Sequence, residues 1–94
     1  ELIVNPGQGM SFQKHLQRNE IWLVSHGSCV VNYSEDNPDN RDSITLNKFD
    51  KYSISQGEWH QITNPFKEKC RIIEIQYGKE VIEEDIERLD YYKP

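Results

Sequence analysis

The chain has 94 residues, 35% of them hydrophobic, and a formal net charge of −5 at pH 7. A chain of this length forms one domain with one modest core, which we place over residues 1–94. The negative charge and the lack of a Lys/Arg run argue against nucleic acid and anionic membranes as partners. No apolar stretch approaches the length of a transmembrane helix.

The first half of the chain has the two-residue periodicity of β-strands. Apolar and polar residues alternate from Met10 to Gln17. The run Glu20–Val24 is rich in β-branched and aromatic residues and leads to a turn at Gly27. Ser28–Tyr33 reads as the returning strand, and the polar segment Ser34–Arg41 reads as a loop.

Short strands continue in the second half, and a helical pattern follows them. The predicted strands are SITLN, KYSIS, Trp59–Ile62 and Arg71–Tyr77. Near the C-terminus, Ile82, Ile86 and Leu89 recur at helical spacing behind acidic residues, which predicts a short helix. Many short strands with frequent turns indicate an all-β barrel or sandwich, here with a short C-terminal helix.

The two cysteines lie inside apolar strand-like runs, Cys29 in CVV and Cys70 in CRII. Cysteine is among the most buried residue types, and no CxxC spacing occurs, so we expect two buried free thiols. Free thiols point to a reducing environment, and we therefore predict a cytoplasmic location.

Four polar side chains form a candidate metal site. His15 and Gln17 are two residues apart and project to one face of a strand, and a kink near Arg18 would return Glu20 to that face. His60 follows the turn at Gly57 on a distant strand. Imidazole, amide and carboxylate groups are donors that a divalent metal accepts.

The spacing of these residues resembles two sequence motifs of the cupins. The first is Gly9, five residues, His15-x-Gln17, two residues, Glu20, six residues and Gly27. The second is Phe49, five residues, Ser55-x-Gly57, two residues, His60, three residues and Asn64. The run PGQGMSFQKHLQRNEIW and the ending IIEIQYGKEVIEEDIERLDYY look like the cupin domain of type II mannose-6-phosphate isomerases, often fused to a mannose-1-phosphate guanylyltransferase.

This resemblance implies a cupin-type double-stranded β-helix, or jelly-roll barrel. It also implies a metal-dependent isomerase that interconverts mannose 6-phosphate and fructose 6-phosphate, with His15, Gln17, Glu20 and His60 as ligands of Mn, Zn, Fe or Ni. The catalytic base is not identified. Gln13 and Glu74 are candidate substrate contacts because they would line the same barrel. A sugar phosphate or nucleotide sugar is the expected small-molecule partner.

Three residues depart from the motifs: Gln17 replaces a His, Phe49 a Gly and Ser55 a Pro. An amide oxygen at Gln17 is a weaker donor for zinc, nickel or iron and suits manganese better. A hydrogen-bonded pocket without metal, with Glu20 paired to Arg18 or His60, therefore remains an alternative. So does a non-catalytic module that binds a sugar or nucleotide sugar.

A homodimer is expected from the resemblance. One feature of the sequence also favours it, because Met10, Phe12 and Leu16 share a strand face that is too apolar to be left bare.

Overall fold

A computed structural model describes residues 1–14, 18–35, 37 and 39–78, together with the backbone of 87–88. This part of the chain contains nine β-strands and no helix, and thus no helix that could span a bilayer. The strands are β1 (Leu2–Val4), β2 (Gln13–Lys14), β3 (Arg18–His26), β4 (Cys29–Ser34), β5 (Asp42–Leu46), β6 (Lys51–Ile54), β7 (Trp59–Thr63), β8 (Cys70–Gly78) and β9 (Glu87–Arg88).

The strands form two antiparallel sheets. One has four strands in the order β1-β8-β3-β6, and the other has five in the order β5-β4-β7-β2-β9. The two longest strands, β3 and β8, pair from Arg18 opposite Gly78 to His26 opposite Arg71, with an irregularity after Val24. The predicted all-β architecture is confirmed.

The hydrophobic core lies between the sheets and follows the strand alternation. In β3, every second residue from Arg18 to Val24 is buried. Trp22 and Val24 of the four-stranded sheet belong to one core cluster with Val31 and Ile62 of the five-stranded sheet. Each fully buried Val or Ile contributes roughly 1.5–3 kcal/mol of hydrophobic free energy. Both cysteines are free and buried in the same cluster, as predicted.

One residue of the apolar face that favoured a homodimer, Phe12, is covered within the chain itself, and Leu16 lies outside the described residues. Phe12 is fully buried; its ring stacks on Trp59 with centroids 5.6 Å apart and carries the Arg41 guanidinium 3.9 Å from its centroid. Phe12 therefore gives no reason to expect a partner subunit. The homodimer remains a prediction. Exposed apolar residues lie on the four-stranded sheet at Ile3, Ile73, Ile75 and Tyr77, and on the five-stranded sheet at Ile44.

The C-terminal helix was predicted mainly over residues outside the described part of the chain. Glu87 and Arg88 are the two whose backbone is described, and there the prediction is wrong: Gln13 pairs with Arg88 and Lys14 with Glu87. The reason is that β2 presents unpaired backbone groups at the sheet edge, and an added strand satisfies them.

Phe49 occupies an unusual backbone conformation between β5 and β6. Its φ is 73°, in the left-handed region, where the cupin spacing has glycine. The Phe49 amide donates to the Val24 carbonyl at 2.7 Å, which holds the conformation, while the side chain is 72% exposed. A side chain costs about 1–2 kcal/mol in this region, so Phe49 stores local strain.

Asn64, the last residue of the second motif, fixes the turn after β7. It is fully buried, and its amide group donates to the carbonyls of Val4 and Glu68 at 2.9 and 2.7 Å. Its side-chain oxygen accepts from the Phe66 amide at 3.0 Å. The asparagine thus supplies two donors and one acceptor to backbone groups at the end of β1 and in the turn after β7.

Candidate functional site: a buried Glu–His pair across the barrel

Glu20 lies on the inner face of β3, where its side chain is 3% exposed. Its Cα neighbours are Ile54 of β6 and Gln76 of β8. The Gln76 amide nitrogen is 3.4 Å from Glu20 Oε1, and an Arg18 guanidinium nitrogen is 3.9 Å from the same oxygen. β3 begins at Arg18, and its alternation turns Glu20 inward. The kink predicted near Arg18 concerns the face shared with His15 and Gln17, which lie outside the described residues, so it stays a prediction.

His60 enters the interior from the opposite sheet. It is the second residue of β7, which follows the turn where Gly57 takes a φ of 77°. The imidazole is fully buried and lies against Trp22 in a T-shaped contact, with ring centroids 5.5 Å apart. Its Nδ1 is 3.1 Å from the Glu58 carbonyl oxygen. Because a carbonyl oxygen only accepts, Nδ1 carries the proton and Nε2 faces inward.

The structure brings Glu20 and His60 together. His60 Nε2 lies 3.3 Å from Glu20 Oε2, and the two residues come from different sheets. If Nε2 is also protonated, the two groups form an ion pair. If Nε2 is unprotonated, two acceptors face each other, which is the arrangement that a cation stabilises.

The other predicted site residues divide into two groups. Gln13 is directly opposite His60 across the β2–β7 pair, is largely buried and accepts from the Ser11 hydroxyl at 3.0 Å. Glu74 is half-buried on the inner side of β8 and accepts a hydrogen bond from Gln76, the residue that also contacts Glu20.

His15 and Gln17 lie outside the described residues, so two of the four predicted ligands are not placed. Within the described ranges no group of three His, Cys, Asp or Glu side chains is arranged to hold a metal.

Tyr52 and Glu58 also belong to this region, although the motif spacing did not single them out. The Tyr52 hydroxyl donates to Glu58 Oε1 at 3.2 Å, and the Tyr52 ring contacts Trp22. Burial raises the pKa of Glu58, against the opposing effects of the Tyr52 hydrogen bond and His60. The alternation in KYSIS puts Tyr52 on the same strand face as Ile54. This pattern could have indicated from the sequence that Tyr52 points into the barrel.

Trp22 carries a buried donor beside the pair. The side chain is fully buried, and its Nε1–H has no acceptor among the described residues. A buried donor without a partner costs about 1–3 kcal/mol, so such groups are usually satisfied by water or a ligand.

Two antiparallel sheets with a Glu–His pair between them define a cupin-type β-barrel domain. CapF, a capsular polysaccharide assembling protein from Staphylococcus aureus, superposes with a TM-score of 0.81 at 22% identity, over 95% of this chain and 27% of CapF. A dTDP sugar isomerase from Desulfovibrio desulfuricans G20 gives 0.79 at 14% identity, over 96% of this chain and 62% of that protein. These similarities establish the fold.

The chain belongs to the family described as mannose-6-phosphate isomerase C-terminal, whose model matches residues 1–91. Alginate biosynthesis protein AlgA of Pseudomonas aeruginosa is 33% identical over 89 residues, which is 95% of this chain and 17% of AlgA. The mannose-1-phosphate guanylyltransferase of Sinorhizobium fredii is 34% identical, over 94% of this chain and 16% of that protein. The chain thus spans about one-sixth of the length of these relatives.

Proposed function

We propose that this domain is a metal-dependent sugar phosphate isomerase that interconverts mannose 6-phosphate and fructose 6-phosphate. The observation that carries the proposal is the pair of donors Glu20 Oε2 and His60 Nε2, 3.3 Å apart in the barrel interior. Membership of a family described by this isomerase supports the choice of substrate.

The chemistry of the donors fits a divalent cation. The Glu58 carbonyl fixes the proton on His60 Nδ1 and so directs the Nε2 lone pair at Glu20, as metal-binding histidines require. Glu20 and His60 would hold the ion, and His15 and Gln17 would complete its coordination. Two oxygen donors among the four favour a harder ion such as Mn²⁺.

When bound, the ion would supply a Lewis acid for the oxygens on the two reacting carbons. The protein's own groups would orient the sugar. The buried Nε1–H of Trp22 is available to donate to a sugar oxygen, and Gln13 beside His60 offers a further polar contact. Proton transfer between adjacent carbons needs a base, and we assign this role to Glu74, a predicted substrate contact that is half-buried on the inner side of β8.

The test combines metal binding with turnover. Elemental analysis after equilibration with Mn²⁺ should show about one ion per chain, and His60→Gln should weaken binding at least about tenfold, the loss expected for a ligand. His26→Gln is the matched control, because His26 is exposed at the end of β3. Formation of mannose 6-phosphate from fructose 6-phosphate should follow the same pattern.

Two outcomes would contradict the proposal. If His60→Gln leaves Mn²⁺ binding unchanged, then Glu20 and His60 form an ion pair and not a metal site. If the metal binds but turnover does not exceed that of His60→Gln, the domain is not an isomerase.

A non-catalytic module that binds a sugar or nucleotide sugar is the second candidate. It is favoured by Gln17, which stands where the cupin spacing has a second His. Calorimetry that shows sugar binding without turnover would support it.

A further inference from the structure

A cavity of about 570 Å³ opens where β4 ends and β5 begins. This volume is in the range of sites that hold small organic ligands and is far larger than an ion needs. Tyr33, at the end of β4, is directly opposite Asp42, the first residue of β5. The described residues that line the cavity are Tyr33, Ser34, Glu35, Asn37, Asn40 and Asp42.

Hydrogen bonds around Asn37 shape the wall of this cavity. The Asn37 carbonyl accepts from the Ser34 hydroxyl at 2.5 Å and from the Asn40 amide at 2.9 Å. The Asn37 side-chain oxygen accepts from the Asp39 amide at 3.0 Å. These bonds join Asn37, in the middle of the loop, to described residues on both sides of it.

The lining combines an aromatic ring with hydrogen-bond acceptors. Glu35 and Asp42 are carboxylates, Asn37 and Asn40 are amides, and Tyr33 supplies the ring. Arg41 belongs to the same loop but is not among the lining residues, since its guanidinium stacks on Phe12. The carboxylates repel phosphate, whereas sugar hydroxyls donate well to them.

The cavity lies beside the Glu–His pair. Tyr33 is the Cα partner of His60 across the β4–β7 pair, and its ring contacts Tyr52 with centroids 5.9 Å apart. Burial raises the pKa of Tyr52, and the neighbouring Glu58 adds to the rise. A molecule bound in the cavity is therefore next to the barrel interior.

We propose that this cavity is a subsite for the uncharged, hydroxyl-bearing part of a sugar. The ring face packs on Tyr33, and hydroxyls donate to Glu35 and Asp42. The proposal depends on the proposed function only for the identity of the adjoining site. It implies an orientation, in which the phosphate of a sugar phosphate points away from β4 and β5.

Binding of unphosphorylated D-mannose, followed by saturation-transfer NMR and calorimetry, tests the subsite. Asp42→Asn and Glu35→Gln should each weaken mannose binding about tenfold, since each removes a charged acceptor. Asp50→Asn is the matched control, because Asp50 is exposed in the β5–β6 loop and does not line the cavity. Thermal unfolding of each variant shows that the fold is intact.

The result is separable from the metal site. His60→Gln should leave mannose binding within about twofold, so the subsite stands even if the isomerase proposal fails. Mannose binding that is lost in His60→Gln but unaffected by Asp42→Asn would overturn the subsite. Binding of Ca²⁺ that Asp42→Asn abolishes, without any mannose binding, would overturn it in favour of a cation site.

Discussion

The two ends of the barrel interior are built by the same strands and have opposite character. β3 places Glu20 at one end and Val24 at the other, and β7 places His60 and then Ile62 in the same way. Alternation decides only which side chains point inward. Position along the strand decides whether they join the apolar core or the polar pocket. Burial of polar groups at the polar end costs free energy, and the hydrophobic packing at the apolar end offsets that cost.

The largest expected effect comes from the apolar end. Ile72 is fully buried on β8, and Ile72→Ala should lower the free energy of unfolding by about 3 kcal/mol, through lost burial and the cavity it leaves. Gln76→Ala, four residues along the same strand at the polar end, should cost about 1 kcal/mol, the value of a hydrogen bond. Urea titrations measure both. Equal decreases in the free energy of unfolding would contradict this comparison, because both ends would then stabilise the fold to the same extent.

A smaller effect of opposite sign is expected at Phe49, beside the apolar end. Phe49→Gly should raise the free energy of unfolding by about 1 kcal/mol, because glycine adopts a φ of 73° without strain. Phe49→Ala is the control, since it removes the ring but keeps the Cβ. If the free energy of unfolding rises equally in both variants, the increase comes from removal of the exposed ring and not from relief of backbone strain.

The smallest effect concerns pH and the two thiols of the apolar end. Burial raises the pKa of Cys29, and the neighbouring Cys70 adds to the rise. The pKa of such a thiol is higher in the folded state than in the unfolded state. Its contribution to the free energy of unfolding is therefore fully present below the unfolded-state pKa of about 8.5 and is lost as pH rises through the folded-state pKa.

Compared with Cys29→Ala, the wild type should therefore lose stability above about pH 9, and iodoacetamide should label the native thiols slowly at pH 8. Rapid labelling of the native chain would contradict their burial.

Much of this arrangement could be predicted from the sequence. Alternation identified the main strands, and motif spacing paired Glu20 with His60 across the barrel. The first strand, Leu2–Val4, was missed because three residues are too few to show a period. The pairing of Glu87 with Lys14 was missed because it depends on the free edge of β2. That edge exists only in the folded sheet and leaves no local pattern in the sequence. Burial of Phe12 depends on Trp59 and Arg41, which no local pattern brings together.

Gly27 ties the turn after β3 to the segment that leads into β8. Its φ is 75°, and a Cβ there would lie 2.2 Å from the Lys69 carbonyl oxygen and 3.3 Å from the Cys70 Cα. The two backbones can meet only because this position has no side chain. Separation of these two segments would expose the Cys70 thiol. The rate at which a thiol reagent labels Cys70 therefore measures how often the apolar end of the barrel opens.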